Sequence, residues 1–159
     1  MTKFVIAVLV ENKFGVLARV AGLFSARGFN INSLAVGEME DPNMSRMTII
    51  VEADEKILEQ VKKQLNKLID VIKVEDLTEG EYVDRELILI KVKAAGVKER
   101  EKIVSVVDST GAEIVDMGKR SVTVEEAGDE HVIKALMELL RPYGILEIVR
   151  TGKIAIQSE

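Results

Sequence analysis

The residues best suited to bind a ligand lie in the short segment 12–17, Asn-Lys-Phe-Gly-Val-Leu. The side-chain amide of Asn12 can donate and accept hydrogen bonds, so it suits an α-ammonium or a carboxylate. Gly15 lacks a Cβ, which lets a ligand or a second backbone approach closely. A helix beginning after Gly15 would offer the free N–H groups of its first turn, which favour anions. These residues predict a site for an amino-acid carboxylate, with Asn30 as a further bifunctional amide; a purely structural turn remains the alternative.

Groups for ordinary enzyme chemistry are scarce. The chain has no Cys and a single His, so neither thiolate chemistry, nor a zinc site of ordinary type, nor a His-based nucleophilic pair can be assembled. His131 is expected near the start of a helix, off its apolar stripe and solvated. No glycines have the spacing of the dinucleotide-binding or phosphate-binding loops. Carboxylate pairs fall in predicted turns and strand ends, where hydrated surface charge is favoured. The sequence therefore predicts no catalytic residue and no metal site.

The composition excludes several classes of partner. The net charge of -5 argues against nucleic acid, because phosphate binding needs a basic surface, and 4% aromatic residues provide few stacking platforms. No run reaches the roughly 18 to 20 apolar residues that a membrane helix requires. The apolar stretch at the N-terminus is shorter than a signal peptide needs and is interpreted as a strand. A chain without Cys fits a cytoplasmic protein.

Hydrophobic periodicity predicts the elements that position the loop. A continuous apolar run over 3–10 is typical of a strand buried on both faces. Apolar residues then recur with helical spacing at Val16, Leu17, Val20, Ala21 and Phe24, and Gly28 suits the end of that helix. A hairpin follows over 30–53, then a helix after Asp54 and a strand at 71–74. The order is βαββαβ, the ferredoxin-like arrangement with both helices on one face of an antiparallel sheet.

The second half of the chain repeats this order. Strands are expected at 86–92, 112–116, 121–125 and 145–149, with helices at 97–108 and after Asp129. The sequence therefore predicts an α+β protein of two tandem ferredoxin-like domains. Their predicted ranges are 1–77 and 82–159.

Four sequence runs carry a resemblance to a known family. One is the run 59–71 (Glu-Gln-Val-Lys-Lys-Gln-Leu-Asn-Lys-Leu-Ile-Asp-Val), and the other three are closer. Residues 8–12 with a Gly three positions on, the run 22–34 (Gly-Leu-Phe-Ser-Ala-Arg-Gly-Phe-Asn-Ile-Asn-Ser-Leu) and the run 41–48 (Asp-Pro-Asn-Met-Ser-Arg-Met-Thr) closely resemble the small subunit of acetohydroxyacid synthase, also called acetolactate synthase. The resemblance covers the whole chain in order and is more specific in the N-terminal half. It implies that the first domain is an ACT domain, for amino-acid effector binding and dimerisation.

The resemblance also implies a function. The chain would be a non-catalytic regulatory subunit that stimulates a catalytic subunit carrying thiamine diphosphate and confers feedback inhibition by valine or a related amino acid. It would hold no cofactor itself and would form a homodimer whose ACT sheets join side by side, with the effector at the junction. Phe14 stands where a small or polar residue is expected, which leaves the choice of effector open. The effector-binding residues carried over by position are Asn12, Lys13, Phe14, Gly15, Val16 and Leu17 from one protomer, and Asn30 and Ile31 from the other.

Two further functions compete with this one. A free-standing ACT sensor acting on another enzyme or a transcription factor would share the pocket. A small enzyme of the acylphosphatase kind would need an Arg near the loop, but Arg19 lies a helical turn beyond Gly15, which predicts a poor position for its guanidinium. The residues expected to contact the catalytic subunit, if the hairpin tip is more than a solvated turn, are Asp41, Asn43, Ser45 and Arg46.

Overall fold

The computed structural model describes residues 2–159, which divide into two compact units. Unit 1 comprises the residues up to Asp84 together with Lys153–Glu159, and unit 2 is Arg85–Gly152. In chain order the elements are β1 (Thr2–Glu11), α1 (Val16–Ser25), β2 (Ile31–Glu38), β3 (Met44–Ala53), α2 (Glu55–Leu65), β4 (Val71–Asp76), β5 (Tyr82–Lys93), α3 (Val97–Thr110), β6 (Glu113–Met117), β7 (Ser121–Gly128), α4 (Glu130–Leu140), a 3-10 turn (Arg141–Tyr143), β8 (Ile145–Arg150) and β9 (Ile154–Gln157).

Unit 1 contains an antiparallel sheet with the strand order β2-β3-β1-β4, so β2 and β4 are its edges. The side chains of β1 alternate between two apolar clusters, which explains why the sequence of this strand is apolar without a break. Phe4, Ile6 and Val8 pack in the main core, whereas Val5 and Ala7 belong to a second cluster. Burial on both faces, as the sequence predicted, is confirmed, because successive side chains of a strand point to opposite faces.

The strand β9 was not expected from the sequence. The main-chain N–H of Lys153 donates to Oγ of Ser33 (2.9 Å), and that of Ala155 donates to Oγ1 of Thr48 (3.4 Å). Nη2 of Arg46 donates to the carbonyl of Ala155 (3.2 Å). Side chains of β2 and β3 therefore hold the main chain of the last strand against unit 1.

The second apolar cluster of unit 1 includes a residue of β9. Ala155 is buried with Val5, Ala7, Ile50 and Leu77. The sequence placed residues 82–159 in one C-terminal domain, but their last seven residues return to unit 1. A strand of four residues is too short to show a reliable period, and the side chains of β2 and β3 that bind it lie more than a hundred residues earlier.

Unit 2 repeats the topology of the first sheet, with the strand order β6-β7-β5-β8. Its core joins Ile88 and Ile90 of β5 to Ile103 of α3 and to Ile133 and Leu136 of α4. The expectation of two tandem ferredoxin-like arrangements is confirmed. None of the helices within residues 2–159 has the length and apolar character needed to cross a membrane.

Replacing glycine by alanine is expected to change the free energy of unfolding in opposite directions at Gly128 and Gly22. A Cβ on Gly128 would lie 2.7 Å from Cβ and Cγ1 of Val132, whereas a Cβ on Gly22, within α1, meets nothing within 4 Å. Gly128→Ala is expected to lower the free energy of unfolding by about 1–3 kcal/mol through overpacking. Gly22→Ala is expected to raise it by about 0.5–1 kcal/mol, because alanine favours a helix. Urea unfolding followed by circular dichroism measures both; equal effects would contradict the predicted clash.

Candidate functional site

The loop between β1 and α1 is fixed to the tip of the β2–β3 hairpin by Asn12. Its main-chain N–H donates to the carbonyl of Asn43 (2.7 Å), and its side-chain Nδ2 donates to the carbonyl of Pro42 (2.9 Å). The same Nδ2 lies 3.4 Å from a carboxylate oxygen of Glu38. The amide nitrogen is thus engaged within the chain, which leaves the side-chain oxygen of Asn12 as an acceptor suited to an α-ammonium.

Gly15 occupies the N-cap position of α1 with a left-handed backbone (φ 79°, ψ −3°). A side chain at this position would be strained, which accounts for the glycine. No side chain within residues 2–159 caps α1, and its first turn contains no acidic residue. The start of the helix therefore keeps the partial positive charge that favours an anion.

The guanidinium of Arg19 lies directly beside Gly15, which corrects the position expected from the sequence. A Cβ built on Gly15 would be 3.2 Å from Nη1 of Arg19, so a side chain here would require the guanidinium to shift by a few tenths of an ångström. The long side chain reaches back toward the start of α1, as the tilt of helical side chains allows. Nη2 of Arg19 is held 2.5 Å from Oδ2 of Asp70.

Asp70, which the sequence did not single out, is the second residue of this corner. Its carbonyl accepts a hydrogen bond from the N–H of Glu11 (2.9 Å), and its side chain is only 11% exposed. Asp70 precedes β4, so it is far from Gly15 in sequence. Its place beside the loop follows from the pairing of β1 with β4.

The remaining loop residues differ in their exposure and in their contacts within the chain. Nζ of Lys13 pairs with a carboxylate oxygen of Glu11 (2.5 Å), and this hydrogen bond raises the pKa of Lys13. Val16 is buried in the main core, whereas Leu17 is partly exposed and Phe14 is fully exposed. Phe14 and Leu17 therefore present apolar surface near the glycine, whereas the side chain of Val16 does not.

Asn30 and Ile31 lie at the opposite end of the sheet from Gly15. Ile31 pairs with Val51 near the end of β3, whereas Glu38 pairs with Ser45 near its start, beside the Asn12 loop. Along the eight residues of β2 this separation is about 25 Å. A single copy of the chain therefore does not bring the two groups of predicted effector residues together.

Asn30 borders a cleft of about 300 Å³ at this end of the sheet. The cleft lies between the end of α1, the start of β2 and the start of α2. Its lining residues are Gly28, Phe29, Asn30, Asn32, Glu52, Ala53, Asp54 and Ile57.

The four residues expected to contact a partner fall into two groups. Asp41 and Asn43 are exposed at the hairpin tip, where Oδ1 of Asp41 accepts from the main-chain N–H and from Nδ2 of Asn43 (both 2.9 Å). Ser45 is buried. Nη2 of Arg46 donates to the carbonyl of Ala155, and Nη1 of Arg46 lies 3.7 Å from Oε2 of Glu75. Within this hairpin, the exposed polar surface belongs to the tip rather than to Ser45.

The residues first considered for catalysis are dispersed. His131 is exposed, and the carboxylate of Asp129 accepts from the main-chain N–H groups of His131 and Val132, which lowers the pKa of Asp129. Across residues 2–159, no three His, Cys, Asp or Glu residues are grouped so as to hold a metal ion.

The tandem ferredoxin-like units, the first with a glycine loop at the start of its first helix, define an ACT-domain protein. Residues 6–73 match the family described as AHAS small subunit-like ACT domain. Residues 85–159 match the family described as small subunit of acetolactate synthase. The chain belongs to the family of acetolactate synthase small subunits.

Similar proteins extend over nearly the whole chain. A protein of Archaeoglobus fulgidus named probable acetolactate synthase small subunit is 56% identical over 154 residues, covering 97% of this chain and 96% of that protein. The acetolactate synthase small subunit of Aquifex aeolicus is 45% identical over 157 residues, covering 99% and 82%. The crystal structure of the acetolactate synthase small subunit from Thermotoga maritima matches with a TM-score of 0.88 at 37% identity, covering 100% and 99%. Both units are therefore typical of this family.

Proposed function

We propose that this chain is the non-catalytic regulatory subunit of acetohydroxyacid synthase. It binds a catalytic subunit that carries thiamine diphosphate, raises the activity of that subunit, and confers feedback inhibition by valine or a related branched-chain amino acid. The chain itself holds no cofactor and works in the cytoplasm as a homodimer. Membership of the acetolactate synthase small-subunit family supports the partner, and the geometry of unit 1 supports the effector site.

The observation that carries the effector site is the position of its two halves at opposite ends of an edge strand. β2 is a free edge of the sheet in unit 1. When two copies pair antiparallel along β2, the start of one strand comes to lie beside the end of the other. Asn30 and Ile31 of one copy then approach the Asn12 loop of its partner. Two equivalent sites form at the junction, each completed by both copies.

The exposed apolar residues of the loop support a branched aliphatic ligand. Phe14 and Leu17 lie next to the start of α1, where the carboxylate binds. Burying a valine side chain contributes about 1.5–3 kcal/mol, which matches the 1–3 kcal/mol typical of allosteric coupling. Modest repacking at the junction is therefore enough to shift the catalytic subunit toward a less active state. Asp41 and Asn43 at the hairpin tip are the proposed contacts with that subunit.

Two measurements test the proposal. Calorimetric titration of the purified chain with L-valine, L-leucine, L-isoleucine and L-serine is expected to give saturable binding of branched side chains, near one site per protomer. Sedimentation is expected to show a dimer. Mixing the chain with its catalytic subunit is expected to raise acetolactate formation, and valine is expected to lower it again.

The experiments can disprove the effector site and the regulatory role independently of each other. Stimulation without any amino-acid binding would remove the effector site and keep the regulatory subunit. Binding without stimulation would instead favour a free-standing amino-acid sensor.

A further inference from the structure

We infer that Arg19 belongs to the effector site and that its guanidinium receives the α-carboxylate of the amino acid, with Asp70 as the residue that positions it. This inference rests on the proposed function and adds a specificity-determining residue to it. An amino acid without a free carboxylate would lose this contact. The loop would therefore select amino acids over amines of the same shape.

The guanidinium of Arg19 is held from one side only. Nη2 binds Oδ2 of Asp70 at 2.5 Å, while Nη1 lies 3.2 Å from the position of a Cβ on Gly15. No residue of the described chain 2–159 accepts a hydrogen bond from Nη1. The Arg19 side chain is 51% exposed, so a ligand can reach the guanidinium.

Asp70 gives the guanidinium a defined orientation. Its side chain is mostly buried, and its main chain is tied to Glu11 at the end of β1. Because the planar fork of an arginine donates in fixed directions, fixing Nη2 also fixes Nη1. The donor is thus in place before a ligand arrives, which reduces the ordering cost of binding.

The arrangement suits a carboxylate bound between two kinds of donor. The N–H groups at the start of α1 lie on one side of Gly15, and Nη1 of Arg19 lies beside the same residue. Hydrogen bonds between charged partners are about twice as strong as neutral ones. Asp70 neutralises part of the positive charge of Arg19. The guanidinium therefore attracts a carboxylate mainly through the directed hydrogen bond from Nη1 and less through its net charge.

The alternative is that Arg19 and Asp70 form a surface ion pair with no ligand. Such pairs contribute little to stability, and removing Arg19 would then leave effector binding unchanged. The guanidinium beside the loop would also suit inorganic phosphate, the anion that a phosphatase-like loop would take. The experiment therefore includes phosphate as a comparison ligand.

The test compares four versions of the full chain: the wild type, Arg19→Gln, Arg19→Lys and Lys63→Gln. Lys63 is exposed on α2 of the same unit, so Lys63→Gln removes one positive charge without removing the guanidinium beside Gly15. Each protein is titrated calorimetrically with L-valine, L-valinamide and inorganic phosphate. Valinamide keeps the ammonium and the isopropyl group but has no carboxylate. Circular dichroism verifies that each variant is folded.

We expect Arg19→Gln to weaken L-valine binding about 10- to 100-fold, with little change for valinamide. Arg19→Lys should restore part of the affinity, and Lys63→Gln should bind valine as the wild type does. Unchanged valine affinity in Arg19→Gln would overturn the inference and leave the proposed function intact. Equal losses for valine and valinamide would also overturn it, because Arg19 would then act on the shape of the loop. If the wild type binds only phosphate, or binds no amino acid, the proposed effector site fails together with the inference.

Discussion

The Ala155→Asp variant is expected to lower the free energy of unfolding of unit 1 by about 3 kcal/mol, because it places a carboxylate in an apolar cluster without a partner. Ala155 is 6% exposed and packs with Val5, Ala7 and Ile50. The cost cannot exceed that of releasing β9 from unit 1, since a detached strand leaves the new carboxylate in water. Deletion of residues 153–159 should therefore destabilise unit 1 at least as much.

The neighbouring residue provides the matched control. Ile156 lies on the same strand and is 63% exposed, so Ile156→Asp is expected to change stability by less than about 0.5 kcal/mol. The chain has two Tyr residues and no Trp. In a Tyr143→Phe background, tyrosine fluorescence reports only on Tyr82, which packs on the same cluster as Ala155. Equal stabilities of the two Asp variants in urea unfolding would show that β9 does not protect this cluster.

The Gly15→Asp variant is expected to weaken effector binding by more than about 100-fold while unit 1 stays folded. The added carboxylate would repel the carboxylate of the ligand and would compete for the guanidinium of Arg19, whose Nη1 lies 3.2 Å from the new Cβ. The left-handed backbone of Gly15 adds strain of about 1 kcal/mol, although aspartate tolerates this region better than most residues. Calorimetric titration with L-valine measures the loss.

Two further variants separate charge from strain. Gly15→Ala introduces the same backbone strain and the same close contact without a charge, so it should weaken binding much less than Gly15→Asp. Gly22→Asp adds a carboxylate to the same helix where a Cβ has open space, and it should bind valine normally. Unchanged affinity in Gly15→Asp would place the effector elsewhere.

The sequence predicted the helices and strands better than it predicted which of them pack against one another. The apolar run of β1 indicated burial on both faces, because no periodic signal distinguished one face from the other. What covers the second face could not be predicted, since β9 is short and distant in sequence. The helical stripe of α1 correctly included Val16 and Phe24, but it also included Leu17, which is partly exposed.

In the candidate site, too, the sequence predicted the local element but not its contacts. The left-handed glycine at the start of α1 could be anticipated from its place between a strand and a helix. The guanidinium of Arg19 could not, because spacing along a helix gives the direction of a side chain but not its torsion angles. Asp70, which fixes those angles, reaches the loop only through the pairing of β1 with β4. The arrangement of Arg19 beside Gly15 thus depends on a contact between residues that are distant in sequence.

The return of the last strand to unit 1 has a consequence for synthesis on the ribosome. The sheet that β9 covers is made first, and the whole of unit 2 is translated before Lys153–Glu159 emerge. At about 5–20 residues per second, Arg85–Gly152 takes roughly 3 to 14 seconds to translate. During that time Val5, Ala7 and Ile50 lack the strand that shields them in the finished protein. The nascent chain is therefore more exposed to aggregation and to capture by chaperones than the chain with β9 in place.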